Sequence, residues 1–245
     1  MSTRITLLIL SLSILTACET TGQNWGNGRN ITASNNVITE DRDLQGFDEI
    51  KVCCSIAVDL HQSNSFGVEV EAPDNVLQYV RTEVVGDRLE IGMESNVNIR
   101  NNRRIRVRVS MPSLEAVGVS SSSTLEGHGT FQGGDLDIQC SSSGRMELDF
   151  EGDDIDAVVN SSGTIKLAGS ADRVDVNSSS SGSFNAYDLQ SRRARINSSS
   201  SSSVKISVSE DLNAKASSSA SVRYRGQPNN VNTDSSSGAS IRGGN

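Results

Sequence analysis

The stretch LDIQCSSSGRMELDFEGDD (residues 136–154) runs directly into IDAVVNSSGTIKLAGSADR (155–173) and then VDVNSSSSGSFNAYDLQSRR (174–193). Set beneath one another, the three lines keep apolar residues in the same columns. With Leu136 as origin, the column continues through Ile155, Val174, Ala194, Leu212 and Val231, at separations of 19, 19, 20, 18 and 19. Ten residues after each origin stand Met146, Ile165, Phe184, Val204, Val222 and Ile241, so every insertion or deletion falls after the second apolar group. Two residues beyond each of these lie further columns, mostly apolar, such as Ile138, Ala157, Val176 and Ile196. Alternation with period two is the signature of strands with one face buried. Each unit therefore holds two short strands joined by a serine bend.

A unit near 19 residues is too short for a propeller blade and lacks the leucine-rich consensus. It suits a β-solenoid, in which each coil lays its strands in parallel on the previous coil, about 4.8 Å away. One coil cannot bury enough apolar area alone, whereas about seven stacked coils enclose a narrow core in which each buried Val, Ile or Leu contributes roughly 1.5–3 kcal/mol. An aromatic content of 4% fits so thin an interior. The serine runs at 141–143, 161–162, 178–181, 198–203, 217–219 and 235–237 fall at the bends, where a small hydroxyl side chain fits a corner and reaches nearby backbone. Gly144, Gly163 and Gly182 close the bend, a place that often needs a positive φ. A linker or glycosylated stalk has no reason to keep a ten-residue offset.

Working outward, residues 44–113 form a less regular β region. Ile50, Val52, Cys54, Ile56, Val58 and Leu60 alternate with polar residues, and Val68, Val70 and Ala72, then Leu89, Ile91 and Met93, then Ile105, Val107, Val109 and Met111 do the same. Pro73-Asp74-Asn75 before Val76, Leu77 and Val80 starts one short helix. Residues 1–17 read as a secretory signal: Arg4 is followed by the apolar run from Ile5 to Leu15, far short of the ~20 residues that span a bilayer. Leu15-Thr16-Ala17-Cys18 resembles the lipobox of bacterial lipoproteins, which implies cleavage before Cys18, acylation of its thiol and a lipid anchor. Glu19 is not the aspartate that retains enterobacterial lipoproteins at the inner membrane, so the outer membrane is the expected location. Residues 18–43, rich in Gly, Asn and Thr, read as the lipidated cysteine and a flexible tether, and 114–245 as the serine-rich solenoid.

A net charge of −8 argues against nucleic acid, which needs a concentrated basic surface. Two histidines without CxxC or HExxH leave little for a zinc site, and neither His61 nor His128 receives a role.

Several segments resemble a known family: Gly46-Phe47-Asp48-Glu49-Ile50-Lys51-Val52, the run from Val68 to Leu77, Arg88-Leu89-Glu90-Ile91, Met111-Pro112-Ser113-Leu114 and the repeated Ser-Ser-Ser-Gly units. They are similar to the "putative auto-transporter adhesin, head GIN domain" proteins, bacterial envelope lipoproteins. The resemblance covers residue 43 to the C-terminus and implies a right-handed parallel β-helix at the envelope or surface. It brings no catalytic residues. The chain departs from the family's Ser-Gly-Ser-Gly corners by placing serine where glycine often sits, notably at Ser202.

On the expected solenoid, Asp137, Asp156 and Asp175 form one outward ladder. Carboxylates about 5 Å apart can serve retaining glycosidases, as in a polysaccharide hydrolase or lyase, and can hold Ca²⁺ weakly. Regular solvent-facing positions, with Arg173 and Arg193 at hand, favour a solvated acidic face. Lys166, Lys205, Arg223 and Arg242 make a basic column, and Arg103, Arg104, Arg106 and Arg108 a second basic patch, suited to acidic glycans or a membrane surface or simply to solubility. Cys54 and Cys140 share phase with apolar neighbours while Cys53 faces out, and both a bridge and free thiols remain open. The expectation is a non-catalytic, cofactor-free envelope lipoprotein whose β-helical wall binds a glycan or surface protein. A polysaccharide-active enzyme and an end-to-end self-assembling structural protein are the alternatives.

Overall fold

The structure, a computed structural model, describes residues 28–100 and 105–244. Cys18, the signal segment, Arg103 and Arg104 lie outside the described residues. Seventeen strands join in one continuous sheet that coils into a parallel β-solenoid of about seven turns, with a more irregular β region at its N-terminal end. Each turn has a first arm and a second arm meeting at a serine corner. From Arg145–Val159 onward the second arm of one coil runs on into the first arm of the next as a single long strand, as in Thr164–Ser178 and Ser183–Ser198.

The apolar columns stack as the spacing predicts. Leu136 pairs with Ile155, Ile155 with Val174, Val174 with Ala194, Ala194 with Leu212 and Leu212 with Val231. Met146, Ile165, Phe184, Val204, Val222 and Ile241 align likewise along the second arms. All but the last member of each column are buried, since Val231 is 47% exposed and Ile241 only partly covered on the final coil. Phe131, Phe150 and Phe184 are the largest of the fully buried side chains.

The corners solve a backbone problem in an unexpected way. The positive φ falls on two serines, not on the glycine: Ser142 and Ser143, Ser161 and Ser162, Ser180 and Ser181, Ser200 and Ser201, Ser218 and Ser219 all lie near φ 50–60°. Each bend is closed by a bond across four residues, as where the Gly144 N–H donates to the Ser141 carbonyl at 2.8 Å. Positive φ at both central residues is the pattern of a type I′ turn. The second central N–H then donates to the next coil, from Ser143 to the Ser161 carbonyl and from Ser162 to the Ser180 carbonyl, so the corners form a hydrogen-bonded ladder of their own. Gly163 is needed for room rather than for φ, because a Cβ there would lie 2.4 Å from the Cys140 carbonyl oxygen. Ser202 takes the equivalent place in a later corner, and its buried hydroxyl bonds to Ser198 Oγ (2.8 Å) and the Ser178 carbonyl (3.1 Å).

The N-terminal region contributes rungs out of chain order. Glu49–Val52 pairs in parallel with Arg88–Met93 on one side and Ala116–Val119 on the other. Ala57–Gln62 lies in the same way between Arg106–Met111 and Thr124–Gln132. The coil formed first in the chain is thus wedged between two later ones. Beyond it, Gly67–Pro73 and Val80–Val85 pair antiparallel with the outermost rung, and the one-turn helix Asp74–Leu77 buries Val76 and Leu77. Arg29–Thr32 and Val37–Asp41, which fall within the expected tether, are strands paired with Val97–Arg100 and Gly67–Pro73. Their backbones carry the pairing while Val37 and Ile38 stay exposed, so apolar patterning gave no sign of it. Cys54, expected inside, is only half-buried: with φ at 73° it begins the first corner with Ser55, in the role the paired serines play elsewhere.

Candidate functional site

The outward residues of the first arms form one continuous wall. Register places Glu49, Ala116, Asp137, Asp156, Asp175, Arg195, Asn213 and Asn232 in a single column across successive strands. The expected ladder therefore exists, and it passes from carboxylates to a guanidinium and then to amides. Burial pushes the Asp137 carboxyl above the usual carboxylate range, with Glu49 and Asp135 adding repulsion. Asp156 is raised in the same way, first by burial, then by Asp175, Asp137 and Asp154, against the attraction of Arg173. Stacked like charges thus carry a cost at neutral pH that a purely solvated face would not.

Two residues upstream runs the neighbouring column, Asp154, Arg173, Arg193, Asp211 and Asn230. Arg173 bonds Asp154 at 2.8 Å and lies 3.6 Å from Asp175, and Arg193 pairs with Asp172. The Arg195 side chain has no hydrogen bond or ion pair among the described residues. Arg173, Arg193, Arg195, Asp175, Asn213 and Asn230 line a shallow groove of about 540 Å³ toward the C-terminal end of the wall. In this surface trough three arginines stand beside two aspartates, and Arg195 is the arginine left without an ion pair, a setting that can take a carboxylate, sulfate or phosphate group of an extended ligand.

Of the other expected patches, the described arginines of the upstream one are ion-paired, while the basic column is ion-paired at Lys166 alone among the described residues. Arg106 pairs with Asp59 at 3.2 Å, and Arg108 bonds Glu69 and Glu71. Lys166, Lys205, Arg223 and Arg242 share one column, where Lys166 pairs with Glu147. Tyr187, an aromatic ring on this side, is covered by the Arg225 guanidinium at 4.0 Å from its centroid. Cys53, Cys54 and Cys140 form no disulfide. Hydrogen bonding from Cys53 and Met93, with the charge of Arg81, holds the Cys54 thiol at about 6 against the opposing effect of burial, whereas burial pushes Cys140 up to about 11.

The histidines are not isolated. His61 and His128 pair across adjacent strands with ring centroids 4.6 Å apart and planes within 13°. Their separation of 67 residues concealed this, because only the out-of-order coil brings the two strands together.

Comparison with solved structures places the whole described architecture among bacterial proteins. A "putative adhesin" from Bacteroides fragilis superposes with a TM-score of 0.81 at 19% identity, covering 87% of this chain and 99% of that one. A "putative lipid binding protein" from Parabacteroides distasonis gives 0.75 at 22% identity, covering 89% and 100%. A "putative adhesin" from Parabacteroides merdae gives 0.71 at 19%, covering 88% and 99%. At these identities the likeness concerns the fold. No curated protein matches the chain. The family model described as "Putative auto-transporter adhesin, head GIN domain" matches residues 46–228, from just before the wedged coil to just before the final coil, and the chain belongs to that family.

Proposed function

We propose that the protein is a non-catalytic lipoprotein of the bacterial cell envelope, anchored through acylated Cys18 in the outer membrane, that uses its first-arm wall for adhesion. The observation that carries this reading is the unbroken outward column from Glu49 to Asn232, which ends in the arginine-lined trough. An extended polymer finds on such a wall one outward side chain per coil, about 4.8 Å apart and mostly polar, and gains affinity by multiplying weak bonds. Family membership supports an adhesin-like role at the envelope. The trough is lined by Arg173, Arg193, Arg195, Asp175, Asp211 and asparagines, which favours an anionic glycan or polar protein segment.

The test is a glycan-array and polysaccharide-degradation screen on the full chain, run with calcium and with chelator. Binding without product release, weakened about tenfold or more by Arg195→Ala, supports the reading, a loss comparable to removing a charge-assisted contact. Chain cleavage abolished by Asp156→Asn would replace it with a polysaccharide-active enzyme. Loss of binding on chelation alone would shift the contact to a calcium-loaded Asp137, Asp156 and Asp175 ladder.

A further inference from the structure

The strands Ala57–Gln62 and Thr124–Gln132 run in parallel register with Asp59 opposite Glu126 and His61 opposite His128. Both pairs point outward, because Val58, Leu60 and Leu125 occupy the inward positions between them. The result is a two-by-two array of two carboxylates and both histidines of the chain. Ligand atoms of Asp59, Glu126 and His128 all lie within 4.8 Å of one another, the one such convergence of His, Cys, Asp and Glu among the described residues. We propose that these three residues bind a late first-row divalent cation of the zinc class, with His61 as a positioning residue.

The geometry is nearly closed already. His128 Nε2 lies 3.6 Å from Asp59 Oδ1. Ligands at about 2.0–2.2 Å from a shared tetrahedral ion stand roughly 3.3–3.5 Å from each other, so small rotations of the exposed Glu126 and His128 side chains complete the set. Asp59 is held on its other side, since Oδ2 forms an ion pair with Arg106 at 3.2 Å. An outer partner of this kind fixes a ligating carboxylate and leaves one oxygen for the metal. His61, stacked on His128, fixes the plane of the ligating ring. Local backbone supports the placement too. The pairing of Thr124–Gln132 with the next strand shifts register between Glu126 and Thr130, a bulge that leaves His128 paired on the His61 side alone. Gly127 makes the bulge possible, since a Cβ there would meet Leu148 Cδ2 at 2.5 Å and Phe131 Cε2 at 2.9 Å.

The donor set selects the ion. An imidazole with two carboxylates suits Zn²⁺, Cu²⁺ or Ni²⁺, while Ca²⁺ takes six to eight oxygens and gains nothing from a ring nitrogen. Opposed carboxylates on neighbouring strands are destabilising when bare, and a bound dication turns that repulsion into attraction. Three protein ligands leave a further coordination position open to water or to a donor group of a partner molecule.

The proposal is tested by calorimetric titration of the full chain with zinc chloride at neutral pH after chelator treatment, joined to nitrogen-edited spectra of the two imidazoles. Expected is one equivalent bound, displacement of the His128 signals, an affinity loss of at least about tenfold in His128→Ala and in Glu126→Gln, and a smaller loss in His61→Ala accompanied by a change in the His128 line positions. Unchanged affinity in His128→Ala would overturn the proposal and move the metal to the Cys53 and Cys54 thiols. Calcium binding as tight as zinc, or no heat and no spectral change up to millimolar zinc, would overturn it as well.

Discussion

At the scale of single residues, the wall trades stability for a charged surface. Asp156 has its carboxyl raised by burial and by Asp175, so between the ordinary carboxylate range and its raised value the folded state holds more protons than the unfolded one. Stability from this group is full below the unfolded value and is lost as pH rises through the folded one. Asp156→Asn should therefore stabilise the protein at pH 7 by up to about 1 kcal/mol after solvent screening, with the gain shrinking toward zero at pH 3. Melting curves at the two pH values check this, and equal shifts at both would dissociate the gain from the charge. Cys54 gives the opposite sign. Held at about 6, it has lost its proton at neutral pH while the unfolded thiol keeps it, so stability rises with pH from about 6 to about 9. Brief alkylation at pH 7 followed by peptide mass mapping should mark Cys54 well before buried Cys140.

Among the elements, the corner is where sequence and structure meet most instructively. The ten-residue offset made the two arms and their buried columns legible, because any change of length inside a unit would turn an apolar residue outward. The serine runs marked each bend correctly, yet which residue takes the positive φ was hidden, since serine has no strong preference for that region and glycine does. The bonds from corner to corner, such as Ser143 N–H to the Ser161 carbonyl, run from backbone to backbone, so they fix the shape of the corner without selecting serine over glycine. Two substitutions separate the roles. Ser161→Val should destabilise by about 1–3 kcal/mol, because a β-branched side chain is strained at φ 47°. Gly163→Ala should also destabilise, through the 2.4 Å approach to the Cys140 carbonyl oxygen, while Ala220→Gly in the equivalent place of a later coil should change stability by about 1 kcal/mol or less. Denaturant midpoints with unchanged slopes would verify both. The Asp137, Asp156 and Asp175 column was readable by the same offset. The histidine array was not, because no period links residue 61 to residue 128.

For the molecule as a whole, the repeats act through nearest neighbours, whereas the N-terminal rungs do not. Deleting residues 155–173 removes one complete coil and brings Leu136–Cys140 beside the strand segment 174–178 in the same register. The shortened chain should keep its β circular-dichroism spectrum and melt cooperatively at a somewhat lower temperature. Deleting residues 49–62 should abolish folding, because that coil is covered on both sides by strands that come later in the chain. The same wedge bears on how a tethered molecule responds to load. Tension arriving from the N-terminal side first meets Arg29–Thr32 and Val37–Asp41, each held along a single partner, and then Glu49–Val52, gripped by parallel neighbours on both flanks. Drawing that segment out along its own length shears two hydrogen-bond ladders at once rather than peeling one. In a single-molecule pulling trace the early pairs should yield at low force and the wedged coil should resist as a mechanical clamp, so that the coils beyond it hold their shape under a pull from the N-terminal side.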